Sequence, residues 1–222
     1  MSRYKNRVVA GQALAEALAE RGYPDPIVLA LPRGGVPIGA EVARALGAPL
    51  DLVMVRKIGV PTQPELAAAA VVNGDHPEVV LNDEVMRMAG LDRADIDRLA
   101  ATQLDEIKRR RVLYFRGRSR KDIAGKTAIV VDDGVATGAT TRAALIAVRR
   151  QKPARLVLAV PVGPADTLAE LKGDVDDLIC LETPRFFHAI GVHYADFSQV
   201  SDDEVVRILD ELEHPETMVD GP

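Results

Sequence analysis

Residues 129–141 read IVVDDGVATGATT. An apolar run ends in two adjacent aspartates, Asp132 and Asp133, followed by small residues, two glycines and three threonines. Like charges side by side at the end of a buried strand repel one another, so the pair calls for a ligand that compensates them. In an open α/β sheet, ligands bind beyond the carboxyl ends of the strands. Gly134 and Gly138 permit a tight turn there, and the backbone N–H groups of Ala136, Thr137, Gly138, Ala139, Thr140 and Thr141 can converge on an anion where the next helix begins. The threonines add hydroxyl donors. A sugar phosphate fits this set: the loop takes the phosphate, and the carboxylates accept hydrogen bonds from neighbouring hydroxyls. An Asx turn capping an ordinary helix would explain one aspartate and leave the second unexplained.

Other nucleotide motifs fail on the residues. No G-x-x-x-x-G-K-[ST] is present, and GVATG and GGVPIG lack the glycine spacing of G-x-G-x-x-G. Adjacent rather than alternating acids also disfavour an aspartyl-phosphate phosphatase.

Three more stretches could serve the same ligand. LALPRGGVPIGAEVA (29–43) reads as strand, loop and helix, with Arg33, Gly34 and Gly35 at the turn. Glycines there let backbone N–H groups approach an anion, and Arg33 adds charge. VMVRKIGVPTQPELAAAA (53–70) places Arg56 and Lys57 at a strand end, before a segment containing glycine and proline. ETPRFFHAIGVHYADFSQVSDDEV (182–205) holds four of the eight Phe and Tyr residues: Phe186, Phe187, Tyr194 and Phe197. A flat base needs a stacking face and edge partners, which aromatic rings and Arg185 supply. Packing of the C-terminal helix accounts equally well for some of these rings. The histidines His76, His188, His193 and His214 show no metal-ligand spacing.

The elements that position these stretches repeat a rhythm of short β-branched run, loop and helical pattern, which implies a parallel sheet with helices on its faces. Core strands are expected at 27–31, 52–56, 127–132, 155–162 and 177–182. Helices are expected near the N-terminus, ending close to Gly22, then up to Gly47, after Thr140, and over DDEVVRILDELE. LAAAAVV and EVVLN read as two strands or an extended flap. Ile96, Leu99, Ala100, Leu104 and Ile107 keep helical spacing, so a long amphipathic helix leads into KRRRVLYFRGRSRK (108–121).

That run holds eight basic residues, whereas 201–222 carries eight acids and one arginine. The basic run reads as a solvated helix end plus loop, with an anionic ligand or RNA as the alternative. The net charge of −5 argues against non-specific nucleic-acid binding. With 222 residues and 47% apolar content, the chain can bury one substantial core. Cys180, the single cysteine, cannot form an internal disulfide and reads as a buried thiol. No signal-peptide pattern opens the sequence and no run reaches membrane-spanning length, so a cytoplasmic location away from membranes is expected.

IVVDDGVATGATT resembles the phosphoribosyl diphosphate (PRPP) signature of the type I phosphoribosyltransferases, and the other stretches extend the likeness over nearly the whole chain. The resemblance implies a single α/β domain over 1–222, with a twisted, mainly parallel central sheet flanked by helices. It also implies a flexible loop or flap, a helical insertion at 83–118 and a small C-terminal hood at 183–200. On this resemblance Asp132 and Asp133 face the ribose hydroxyls and assist catalysis with Arg56 and Lys57, while residues 136–141 hold the 5′-phosphate. Arg33, Gly34, Gly35, Arg56 and Lys57 would bind pyrophosphate. IGVPTQPE is where the family carries a mobile closing loop, which Glu65 could order, and the family's pyrophosphate loop implies unusual backbone near Arg33. Arg185 and Phe187 would bind the acceptor, although Arg185 stands where purine-salvage enzymes carry a lysine. Mg²⁺ is the implied cofactor, reached by Asp132 and Asp133 directly or through ribose or water. A homodimer is the implied assembly. The expected reaction is phosphoribosyl transfer to a nitrogenous, purine-like acceptor. A PRPP or nucleotide sensor, with RNA binding at the basic run, is the alternative, and an amine acceptor is a third reading.

Overall fold

Each apolar run at the centre of the chain is short and β-branched and leads into a helical pattern, and the computed structural model assembles these units into a parallel sheet wrapped by helices. The structure describes residues 3–72 and 78–213. The central strands are β1 (Pro26–Ala30), β2 (Leu50–Leu52), β6 (Thr127–Val131), β7 (Arg155–Val162) and β8 (Asp177–Glu182). They pair in parallel in the order β2-β1-β6-β7-β8. Successive side chains on a strand point to opposite faces. Val28, Ala30, Ile129, Val131 and Val157 therefore meet α1 (Arg7–Ala19), α2 (Gly35–Leu46) and α7 (Asp202–Glu213) on one face. Ile27, Leu29, Ala128, Val130 and Leu156 meet α5 (Ala139–Arg150) and α6 (Ala165–Leu171) on the other. Burial on both faces explains why these strands read as unbroken apolar runs.

The strand expected over 52–56 is divided instead between two sheets. The chain leaves the edge of the central sheet at Leu52, crosses through buried Val53 and Met54, and begins β3 (Val55–Val60). β3 pairs antiparallel with β4 (Gln63–Val72), and β5 (Glu78–Leu81) completes a second, three-stranded sheet. The segment IGVPTQPE, expected as a mobile loop, thus forms the β3–β4 hairpin, with its turn at Pro61 and Thr62. The side chain of Glu65 lies outside what the structure describes, as do His76 and His214. Val55, Ala70, Val72 and Val80 pack the small sheet toward α5. Its other face, with Ile58, Val71, Val79 and Leu81, packs against α3 (Asp83–Ala89) and α4 (Arg93–Phe115). Cys180 sits on edge strand β8 and is half-buried rather than buried.

The long amphipathic helix is α4, opened by a capping box between Asp92 and Asp95. The basic run begins in its last turns, and α7 meets it with acids. Arg109 reaches Glu106 at 2.8 Å and Asp202 at 3.5 Å, and Arg110 reaches Glu106 at 2.7 Å. Arg118 is clasped by Asp210 and Glu213. The basic run is therefore a helix end whose cations are shared with an acidic helix. Beneath them Tyr114 is fully buried, and its hydroxyl donates to Asp202 Oδ1 at 2.6 Å. Among the described residues no helix is long and apolar enough to cross a membrane.

Tyr114→Phe keeps the ring and removes this bond. It is expected to lower unfolding free energy by about 1 kcal/mol in urea denaturation. An unchanged midpoint would mean that this hydrogen bond adds nothing to the docking of α7 on α4.

Candidate functional site

The functional residues collect where β1 and β6, neighbours in the sheet, release their chains at the same end. After β6 come Asp132 and Asp133; after β1 comes the loop from Pro32 to Gly35. The two turns touch. A Cβ placed on Gly34 would lie 2.0 Å from Asp133 Oδ2, and one on Gly35 would lie 2.8 Å from the Val131 carbonyl oxygen. These glycines are thus required by the close approach of the loop to the acid pair. The backbone near Arg33 is unusual as expected, with a cis peptide between Pro32 and Arg33. The Arg33 guanidinium points toward Asp202 at the start of α7, 3.6 Å away.

Asp133 is 8% exposed and is gripped from the far end of the sequence. Arg7, in the first turn of α1, brings Nε and Nη2 each to 2.8 Å from Asp133 Oδ2. The Arg7 Nη1 donates to the Ser198 carbonyl at 2.7 Å, and the guanidinium carbon lies 3.9 Å from the centre of the Phe197 ring. Tyr194 donates its hydroxyl to the Asp133 carbonyl at 2.6 Å. Asp132 Oδ1 accepts from the Asp133 N–H at 2.8 Å. Burial raises the Asp132 carboxyl well above the usual carboxylate range, and the neighbouring Asp133 charge pushes it further. Burial also raises Asp133, against the pull of Arg7. A pair placed this way favours a ligand that brings hydrogen-bond donors or positive charge.

The following loop leads into α5 through Gly138, whose φ of 74° is left-handed. A side chain there would also meet Thr167 Cγ2 at 2.7 Å. Thr167 in turn donates to the Ala136 carbonyl at 3.0 Å and pins the turn. No side chain caps α5, so its first N–H groups stay available to an anion, beside exposed Ala136, Thr137 and Ala139. Thr140 is partly exposed, whereas Thr141 is 3% exposed.

Arg56 and Lys57, expected to act together on pyrophosphate, are separated. As neighbours on β3 they face opposite sides of the small sheet. Arg56 donates to Gln103 on α4 at 3.1 Å. Lys57 lines a cleft of about 510 Å³ between the small sheet and α5, where Thr137, Ala139 and Arg142 form the facing wall. In the hood stretch, Tyr194 is buried and Phe197 lies under Arg7, so both serve packing around Asp133. Phe187 stacks on His193 with centroids 5.7 Å apart, and Phe186 is 74% exposed with Arg185 over its ring. Ile190 holds the stretch against Gly134.

Arg7, Tyr194 and Thr167 are the contributors that sequence patterns did not single out for these roles. Arg7 is 126 positions from its partner, and only the fold brings them together. Among the described residues no three His, Cys, Asp or Glu side chains gather into a metal-binding group. A divalent cation here would rest on one or two carboxylates and its substrate, as Mg²⁺ commonly does, and the oxygens of Asp132 and Asp133 suit it.

The model of the phosphoribosyl transferase domain matches residues 3–196. A Mycobacterium tuberculosis protein named as a candidate phosphoribosyl transferase, found in two strains, is 48% identical over 210 residues, covering 95% of this chain and 47% of its own length. This chain thus spans about half the length of the curated relatives it matches. The crystal structure of TT1426 from Thermus thermophilus is similar with a TM-score of 0.84 and 44% identity, covering 94% of this chain and 98% of that one.

Gly34→Ala tests the contact between the two turns. The added methyl must displace the Asp133 carboxylate and break its pairing with Arg7, at an expected cost of about 3 kcal/mol in chemical denaturation. Wild-type stability would show that the turns can part without loss.

Proposed function

This chain belongs to the phosphoribosyl transferase domain family, and from that premise we propose that it transfers a phosphoribosyl group from PRPP to a nitrogenous acceptor, with Mg²⁺ and with release of pyrophosphate. The observation that carries the reading is one juxtaposition. An uncapped helix start, suited to a phosphate, lies directly after two adjacent carboxylates, one partly buried and one buried, suited to vicinal hydroxyls.

In this reading the 5′-phosphate rests on the N–H groups of residues 136–141, and Asp132 and Asp133 accept hydrogen bonds from the ribose hydroxyls. The acceptor nitrogen bonds to C1 while the bond from C1 to the pyrophosphate oxygen breaks, and its electron pair leaves with pyrophosphate. Positive charge grows on the sugar ring near the two acids, so their task is electrostatic and neither becomes a nucleophile. Lys57 and the Arg33–Gly35 turn flank the leaving group. Arg56, bound to Gln103, has no part in this account. Bound Mg²⁺ would neutralise the leaving pyrophosphate, with Asp132 and Asp133 as its protein partners. Phe186, Phe187 and Arg185 offer the acceptor a planar face and a cation, which suits a purine-like base. The RNA-binding alternative loses support, because Arg109, Arg110, Arg116 and Arg118 are already matched to acids.

The test is pyrophosphate release from Mg²⁺–PRPP across a panel of bases and amines. Release with a purine-type base is expected, and Asp133→Asn should slow it by about a hundredfold or more while the fold persists. Silence across the panel with PRPP still bound would make the protein a PRPP-binding module instead. Undiminished turnover in Asp133→Asn would remove the acid from the mechanism.

A further inference from the structure

The transferase reading gives Asp133 a ligand but not the means of holding its carboxylate in place. Gly34, which presses against it, lends no side chain. What grips it is Arg7, and the contacts of that guanidinium run in three directions. Nε and Nη2 both fall on Oδ2, and neither uses Oδ1. Nη1 goes to the Ser198 carbonyl, and the flat face covers Phe197. The Arg7 side chain is 11% exposed and that of Asp133 12%. The pair is thus largely sheltered from water, where a directed charge contact strengthens.

We propose that Arg7 is a positioning residue: it holds Asp133 by Oδ2 alone, leaves Oδ1 to a ribose hydroxyl, and ties this donor-side acid to the acceptor-side hood through Phe197 and Ser198. The inference rests on the transferase reading and adds to it a coupling between the two halves of the site. A shift of the 197–198 segment pulls on Nη1 and on the stacked face, and the guanidinium passes that shift to Oδ2. Tyr194 supports the same link from the hood side, with its hydroxyl on the Asp133 carbonyl and its ring 5.1 Å from Phe197. Arg rather than Lys suits this position because one planar group serves an acid, a carbonyl and a ring together.

The experiment measures the dissociation constant of Mg²⁺–PRPP by calorimetry on the full chain. The variants are Arg7→Met, Arg7→Lys, Phe197→Leu and the Arg7→Met/Phe197→Leu double, each checked for cooperative unfolding. Arg7→Met is expected to weaken binding by about tenfold or more, and Arg7→Lys to recover only part of that loss, since an ammonium can pair with the acid but cannot also serve the carbonyl and the ring. Phe197→Leu should weaken binding in the same direction, and the double variant should bind no worse than Arg7→Met, since both changes break one connection. A folded Arg7→Met that binds like wild type overturns the proposal, as does an Arg7→Lys variant that matches wild-type affinity. If Arg7→Met does not fold, Arg7→Lys and Phe197→Leu decide: wild-type affinity in Phe197→Leu overturns the link to the hood. A wild-type chain that binds no Mg²⁺–PRPP fells the transferase reading itself, and this inference with it.

Discussion

Two carboxylates adjacent in sequence, Asp132 partly buried and Asp133 buried, are the constraint around which this molecule is arranged. Burial drives both toward their neutral forms, and the Asp133 charge makes Asp132 harder still to ionise. Without help such a pair would be a liability at the end of a central strand. One acid receives that help from within, through Arg7. The other has the N–H of its own neighbour, and its remaining need is what a ligand can meet. The site is thus electrostatically incomplete in a direction that favours hydroxyl donors and a divalent cation.

Other features follow from keeping this pair in position. The glycines at 34 and 35 let the β1 turn press against it. Gly138 and Thr167 shape the next turn so that α5 begins uncapped beside it. The segment after β8 folds back to place Tyr194, Phe197 and Ser198 on Arg7 and Asp133. Even the acidic face of α7 contributes, since Asp202 engages Tyr114 and Arg109 of α4 and is the acid toward which Arg33 points. The charge imbalance between the basic run and the acidic C-terminal segment is resolved within one molecule.

Much of this was legible in the residues. β-branched runs followed by helical spacing gave the positions of most central strands and several helices along the chain, because local period and two-sided burial agree there. The acid pair and its glycine- and threonine-rich turn were legible because their chemistry is local. The small sheet was harder. A single apolar run from Leu52 to Arg56 carries no mark of the crossover at Val53 and Met54, and IGVPTQPE reads as a loop although tertiary pairing makes it a hairpin. That pairing also sets Arg56 and Lys57 on opposite faces, which a neighbouring pair of cations conceals until the strand is known. Arg7 could not be foreseen, since nothing near it in sequence points to an acid just after β6. Two of the hood aromatics turned out to support the acid pair, which leaves Phe186 and Phe187 as the rings for an acceptor.

The central claim is that the turn after β6 holds a phosphate while the preceding acids hold a sugar. A crystal structure of the chain with Mg²⁺ and PRPP tests it most directly. The account predicts the 5′-phosphate within hydrogen-bond reach of the N–H groups of residues 136–141, and both ribose hydroxyls on Asp132 and Asp133. A phosphate seated elsewhere, with the two carboxylates contacting no part of the sugar, would contradict it.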